Sequence, residues 1–275
     1  MKKLVIAIFL MLSSLALATD WDSAAALKRV NTIGSKILKA NNINHTIEFK
    51  VSEEDTINAY ANIDKEVFVY KGLLEYVDTD DELAGVISHE MGHIINGHCA
   101  KQGVLNSIIA TIGSIFKPTT TAGTVTNQIG QQLASSKISR NDEFEADLTG
   151  VDLMTKGGYN PLGMVSLLSK ISQSYLDILQ SHPSGEKRIQ NAYDYVNYNY
   201  PSYVKKGYST TSYKNALAMM KTTLDKRANS EAEMNKYKKT QEKLLLKKQK
   251  REKKMQATNT AWDGYYQTLL YTSGN

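Results

Sequence analysis

The sequence predicts an α+β protein that is mostly helix, and three observations carry this. Apolar residues recur at helical spacing through most of the chain. Period-two alternation is confined to residues 46–72. Residues 221–257 contain no Gly or Pro and thirteen Lys or Arg, which suits a long helix. The expected body is therefore helical with a small β-sheet, followed by a basic C-terminal helical extension.

In chain order, "MKKLVIAIFLMLSSLALA" has a basic start, an apolar run from Leu4 to Leu12 and a small-residue end, Ala16-Leu17-Ala18. That is the pattern of a secretory signal peptide over residues 1–18, with cleavage expected after Ala18. The run is short for a bilayer span. No Cys follows it to accept a bacterial lipid anchor. The expectation is export to the periplasm with the signal removed, leaving open an association with the membrane.

Residues 21–40 place Leu27, Val30, Ile33, Ile37 and Leu38 on a helical stripe. "TIEFKVS" (46–52) alternates as a strand and "EVFVYKG" (66–72) reads as its partner. "NAYAN" (58–62) is a candidate edge strand. Thr79 and Glu82 have capping-box spacing, opening a helix expected to run through residue 97. Residues 104–116 are apolar but short of a span, and read as a buried helix or a flap. Residues 117–124 read as a loop. Helices are expected over 140–158, ending at Gly157-Gly158, over 161–179, and from near Pro183.

Composition sets limits. At 275 residues, 41% hydrophobic and 22% charged, the chain can bury a full core. One cysteine, Cys99, excludes an intrachain disulfide framework and a Cys-rich zinc module. The thirteen cations of 221–257 face five acids in a chain whose total is only +5, so the remainder is net acidic. This segment reads as a solvated helix or as a basic arm for peripheral contact with an anionic membrane. Export argues against nucleic acid as its partner. Residues 261–271, "AWDGYYQTLLY", are aromatic enough to fold back onto the body. The expected organisation is a signal peptide (1–18), a catalytic domain (19–204) and the basic extension (205–275). Nothing in the sequence sets the oligomeric state.

Chemistry concentrates in "LAGVISHEMGHIINGH" (83–98), which holds three of the five histidines. His89-Glu90-Met91-Gly92-His93 is an H-E-x-x-H match. On a helix, residues four apart share a face, so His89 and His93 can present two imidazoles to one ion. Zinc suits imidazole and lowers the pKa of bound water to about 7. Glu90 stands where a carboxylate can take that water's proton and later protonate a leaving amine. His98 comes five residues after His93 and reads as a helix-end residue. A catalytic zinc needs a third protein ligand. The candidates are Glu143, Glu145 and Asp147 in "SRNDEFEAD", and His182. Glu143 and Asp147 share a helix face, and spacing leaves them interchangeable as ligand and as the acceptor that orients a ligating His. Glu145 is expected to point away as a surface charge.

"HEMGHIINGH", "SRNDEFEAD" and "HPSGEKR", in that order, resemble the HtpX/BepA-type zinc metallopeptidases, gluzincins related to the CAAX prenyl proteases. The resemblance runs from about residue 25 to 200. It implies a zincin-like domain with one zinc per chain held by His89, His93 and Glu143. It also implies Glu90 as general base and Asp147 as the acceptor behind a ligand. His182 would stabilise the oxyanion, or bind zinc itself in a latent state. Arg188 would hold that site. "NAYA" (58–61) is similar to the family's substrate-binding edge strand, which marks Asn58 and Ala59. The chain departs from the family in lacking both a transmembrane bundle and C-terminal helical repeats, so recruitment of partners through such repeats does not carry over.

The sequence therefore reads as an exported zinc endopeptidase acting on protein or peptide substrates, among them misfolded or unassembled envelope proteins. The rival is a gated, chaperone-like or adaptor protein that keeps the zinc fold and uses its basic tail on an anionic membrane surface.

Overall fold

In the computed structural model the described residues are 21–43, 47–101, 139–172, 178, 182 and 185–257, with side chains through 253. The segments read above as signal peptide, flap, loop and aromatic end (1–18, 104–124 and 261–271) lie outside them.

Helix α1 (Ser23–Ala40) starts where the Asp22 side chain accepts the Ala25 N–H at 2.9 Å. Val30, Ile33 and Ile37 of the expected stripe are buried; Leu27 is exposed. Past its end, the buried Asn41 side chain donates to the Leu153 carbonyl at 3.0 Å, tying α1 to a distant helix.

Strands β1 (Glu48–Ser52), β2 (Ala59–Ala61) and β3 (Glu66–Tyr70) form a mixed sheet in the order β1-β3-β2. β1 runs parallel to β3, with Phe49 opposite Val67, and β2 runs antiparallel to β3. Val67 and Val69 alternate inward from β3 and are fully buried. The expected strand pairing is thus present, and β2 is an edge.

After the short α2 (Lys71–Tyr76), helix α3 (Asp80–Ile95) runs through the centre. Asp80, Asp81 and Glu82 in its first turn suit the positive end of the helix dipole. The Thr79 hydroxyl accepts the Glu82 N–H at 3.1 Å, half of the expected capping box. The Glu82 carboxylate instead accepts from the Asp78 N–H at 2.8 Å and the Ser166 hydroxyl at 2.6 Å, because a fully buried carboxylate needs more than one donor. Every residue from Glu82 to Ile95 is buried. Apolar side chains such as Leu83, Ile87 and Met91 each contribute about 1.5–3 kcal/mol through burial.

Helix α4 (Arg140–Lys156) begins with a complete capping box between Ser139 and Asp142 and lies along α3. The two approach closely because glycines face the contact. A Cβ at Gly92 would stand 2.7 Å from the Ala146 carbonyl oxygen, and one at Gly150 would stand 3.0 Å from the His89 nitrogen. Helix α5 (Leu162–Ser172) closes the other side of α3, and α6 (Glu186–Asn199) packs on α4 and α5.

The short α7 (Pro201–Lys206) leads to α8 (Thr211–Asn229), which packs on α5, and to α9 (Glu231–Ala257). Among the described residues the basic extension is mainly the helix pair α8 and α9, and its cations are not all spent on solvent. Arg227 pairs with Asp194, Lys248 with Asp152, and Arg251 with Glu145, all on the body. Among the described residues no helix is long and apolar enough to cross a membrane.

Candidate metal centre

Helix α3 carries His89, Glu90 and His93, and helical spacing sets the two imidazoles one turn apart. Their Nε2 atoms are 3.0 Å from each other. From α4, Glu143 brings Oε1 to 3.3 Å from His93 Nε2 and Oε2 to 3.5 Å from His89 Nε2. His182 Nδ1 lies 3.3 Å from His89 Nε2 and 3.0 Å from Glu143 Oε1. One atom from each of the four residues falls within 4.8 Å of all the others, and all four residues are buried.

The donor and acceptor roles that the heavy-atom contacts allow explain why this cluster suits a cation. Asp147, one turn beyond Glu143, has Oδ1 at 2.9 Å from His89 Nδ1. That carboxylate can only accept, so Nδ1 carries a hydrogen, and in the neutral ring that a metal requires the Nε2 lone pair points inward. Burial pushes His93 down to about 3, so it is neutral. At His89 burial is outweighed by the carboxylates of Asp147 and Glu143, which raise the imidazole to about 10. A cation bound here would therefore take the place of the proton on His89 Nε2. Lone pairs of imidazole and carboxylate thus converge on one buried point, and three imidazoles with one carboxylate are a donor set that zinc accepts. Burial alone would raise both carboxyls. The neighbouring His182, His89 and His93 nevertheless hold Glu143 well below the usual carboxylate range. Arg188 and His89 do the same for Asp147.

Arg188, from α6, is the cation behind this arrangement. Its Nε donates to Asp147 Oδ2 at 2.8 Å and Nη2 to Oδ1 at 2.6 Å, while Nη1 faces Glu143. Glu90 is buried, with Oε1 3.5 Å from His182 Nε2 and with no hydrogen-bond partner at Oε2. It faces a cleft of about 390 Å³ walled by Val86, Leu167, Leu168 and Ile171. A carboxylate held against an apolar wall beside a metal position is placed to act on a water there.

Asn58 and Ala59 sit at the start of the edge strand β2, which packs on α3. The Asn58 carbonyl accepts the Tyr70 N–H at 3.1 Å, on the β3 side.

Two residues near the centre differ from their sequence expectation. His98 lies just past the end of α3 as expected, but it is buried, with Nδ1 3.0 Å from His93 Nδ1. Glu145 is half-buried, 3.4 Å from His98 Nε2 and in contact with Arg251. The reason is local. α3 stops at Ile95, and Gly97 turns with φ +74°, swinging His98 back towards His93. Gly97 was the available signal: counting five residues along an unbroken helix misses a left-handed turn.

Residues 24–196 match the family model of peptidase family M48. The chain belongs to peptidase family M48. The M48 match spans α1 to the C-terminal part of α6 and so contains every residue of the cluster. Among similar proteins, metalloprotease YcaL of Escherichia coli is 32% identical over 177 residues, covering 59% of this chain and 68% of that protein. Metalloprotease LoiP of the same organism is 29% identical over 180 residues, covering 61% and 69%. The beta-barrel assembly-enhancing protease of Yersinia pestis is 28% identical over 188 residues, covering 61% of this chain but 38% of that protein. The chain thus spans well under half the length of the last relative.

Proposed function

We propose that this M48 protein is a zinc endopeptidase. The observation that supports it most is the buried convergence of His89, His93, Glu143 and His182 within 4.8 Å, with Glu90 beside it. In this reading His89, His93 and Glu143 hold one zinc. When bound, the ion polarises a scissile carbonyl and lowers the pKa of its water to about 7. Glu90 takes the proton of the attacking water and delivers it to the leaving amine. Asp147 fixes the His89 tautomer, and Arg188 sets its single positive charge against both Asp147 and Glu143. Main-chain pairing of a peptide at the outer edge of β2 falls to Ala59, while Asn58, whose carbonyl is taken by the Tyr70 N–H, fixes that edge to β3. His182, freed from the centre, donates from its ring to the developing oxyanion.

One observation favours a gated form of the same enzyme. His182 Nδ1 sits inside the ligand set, 3.0 Å from Glu143, where a fourth ligand would displace the attacking water. The arrangement is closed, and His182 must swing away before substrate is cut.

The leader-like start supports export to the periplasm. The beta-barrel assembly-enhancing relative supports misfolded or unassembled envelope proteins as substrates. Lys236, Lys239, Lys243, Lys247 and Lys250 form an exposed stripe on one face of α9, which supports peripheral contact with an anionic membrane.

Cleavage of casein by the wild type and Glu90→Gln tests the mechanism. A loss of about 10²- to 10⁴-fold with metal content kept is expected. Unchanged cleavage refutes it.

A further inference from the structure

We propose that His98 is a positioning residue for the metal ligand His93, fastened from outside the catalytic body by Arg251 of α9 through Glu145. The inference rests on the metal reading above and concerns how the second imidazole is held.

A neutral imidazole has one donor nitrogen and one acceptor nitrogen. His93 turns Nε2 to the ligand cluster, 3.0 Å from His89 Nε2 and 3.3 Å from Glu143. Its lone pair belongs there, so Nδ1 carries the hydrogen. The atom facing it, at 3.0 Å, is His98 Nδ1. That nitrogen must accept, which puts the His98 hydrogen on Nε2. His98 Nε2 in turn points at Glu145 Oε2, 3.4 Å away, with Asp142 Oδ1 at 3.6 Å. One assignment satisfies every step, each donor pointing away from the metal position. His98 is 5% exposed, so water does not compete for these nitrogens.

The chain does not end at Glu145. Arg251 on α9 pairs with the same carboxylate oxygen. Its Nη2 also donates to the Asn96 carbonyl at 2.9 Å, at the C-terminal cap of the helix that carries His93. Arg251 thus grips both the acceptor behind His98 and the end of α3. α9 lies beyond residue 196, where the match to the M48 family ends. The two ligands are therefore braced differently: His89 by Asp147 within the matched domain, His93 by a histidine–carboxylate pair held from the extension. A second cation site at His98, Asp142 and Glu145 is disfavoured, because Arg251 and Lys101 already face its carboxylates.

Metal-ligating histidines depend on the acceptor of their other nitrogen, and losing it weakens metal binding about 10- to 100-fold. Zinc affinity of the full chain, read by competition with a chromophoric chelator, is the test, with cobalt(II) absorption as a second readout. His98→Leu is expected to weaken zinc by about 10- to 100-fold and to shift the cobalt bands. His98→Gln, whose amide accepts on one side and donates on the other, should lose less than about tenfold. Arg251→Met should fall between the two and add nothing to His98→Leu. Wild-type affinity in His98→Leu, or equal losses in the Leu and Gln variants, overturns the assignment. Should His98→Leu fail to fold, wild-type affinity in Arg251→Met overturns the link to α9. A wild-type chain that takes up neither zinc nor cobalt refutes the metal reading itself, a distinct result.

Discussion

Gly92 of α3 lies against the backbone of Ala146 of α4, so close that a Cβ at position 92 would stand 2.7 Å from the Ala146 carbonyl oxygen. Gly92 is one of the two unspecified positions in H-E-x-x-H, and here packing specifies it. Glu143 reaches His89 and His93 only because the two helices meet at this distance. Gly92→Ala must push α4 outward, costing about 1–3 kcal/mol of stability and drawing Glu143 off the cluster. Urea denaturation with a parallel zinc titration checks both effects. A variant as stable and as tight as wild type would show that the close approach is not needed.

Arg188 faces two buried carboxylates at once, Asp147 and Glu143. Removing one partner of a buried ion pair costs about 3–5 kcal/mol. Zinc would compensate Glu143 but not Asp147. Arg188→Met should therefore destabilise the metal-free chain more than the zinc-loaded one. Denaturation curves with and without zinc measure the difference. Equal losses in both would mean that zinc does not share this charge.

Glu252 of α9 is buried, and burial pushes its carboxyl up to about 7, with Lys248 opposing and Asp152 reinforcing the shift. The sign follows from linkage. Between its ordinary value of 4.5 and about 7, the folded chain holds a proton that the unfolded chain has released. This contribution is full below 4.5, declines as pH rises through about 7, and is constant beyond. Glu252→Gln mimics the protonated form, so its stability advantage over wild type should grow across that window. Denaturation at pH 5, 6, 7 and 8 reads it. Parallel curves would contradict the shift.

The lysine stripe of α9 should bind vesicles containing phosphatidylglycerol, with about 1 kcal/mol from each lysine near the surface. Replacing Lys236, Lys239, Lys243, Lys247 and Lys250 with Gln should abolish sedimentation with such vesicles at low salt. Undiminished binding would remove the stripe as the contact.

Much of this was legible in the sequence because it is local. The α3 cap at Thr79, the alternation of β3 and the His89–His93 spacing depend only on neighbours in the chain. The choice between Glu143 and Asp147 was not, since both lie on one face of α4. Three-dimensional placement separates them: Glu143 lies 3.3 Å from His93 Nε2, while Asp147 lies 2.9 Å from the opposite nitrogen of His89. His98 does lie past the end of α3, but its burial against His93 depends on the left-handed turn at Gly97, and the partial burial of Glu145 depends on Arg251 of α9, neither of which helical spacing reports. The partners of Arg227, Lys248 and Arg251 are 33 to 106 residues away in sequence, and no periodicity reports contacts at that range.

The central claim is that His89, His93 and Glu143 hold one zinc ion. Metal content of the purified chain, measured by elemental analysis on wild type and Glu143→Ala, tests it most directly. The account predicts one zinc per wild-type chain and a large loss of occupancy in the variant. A wild-type chain without transition metal, or a variant with full occupancy, would contradict it.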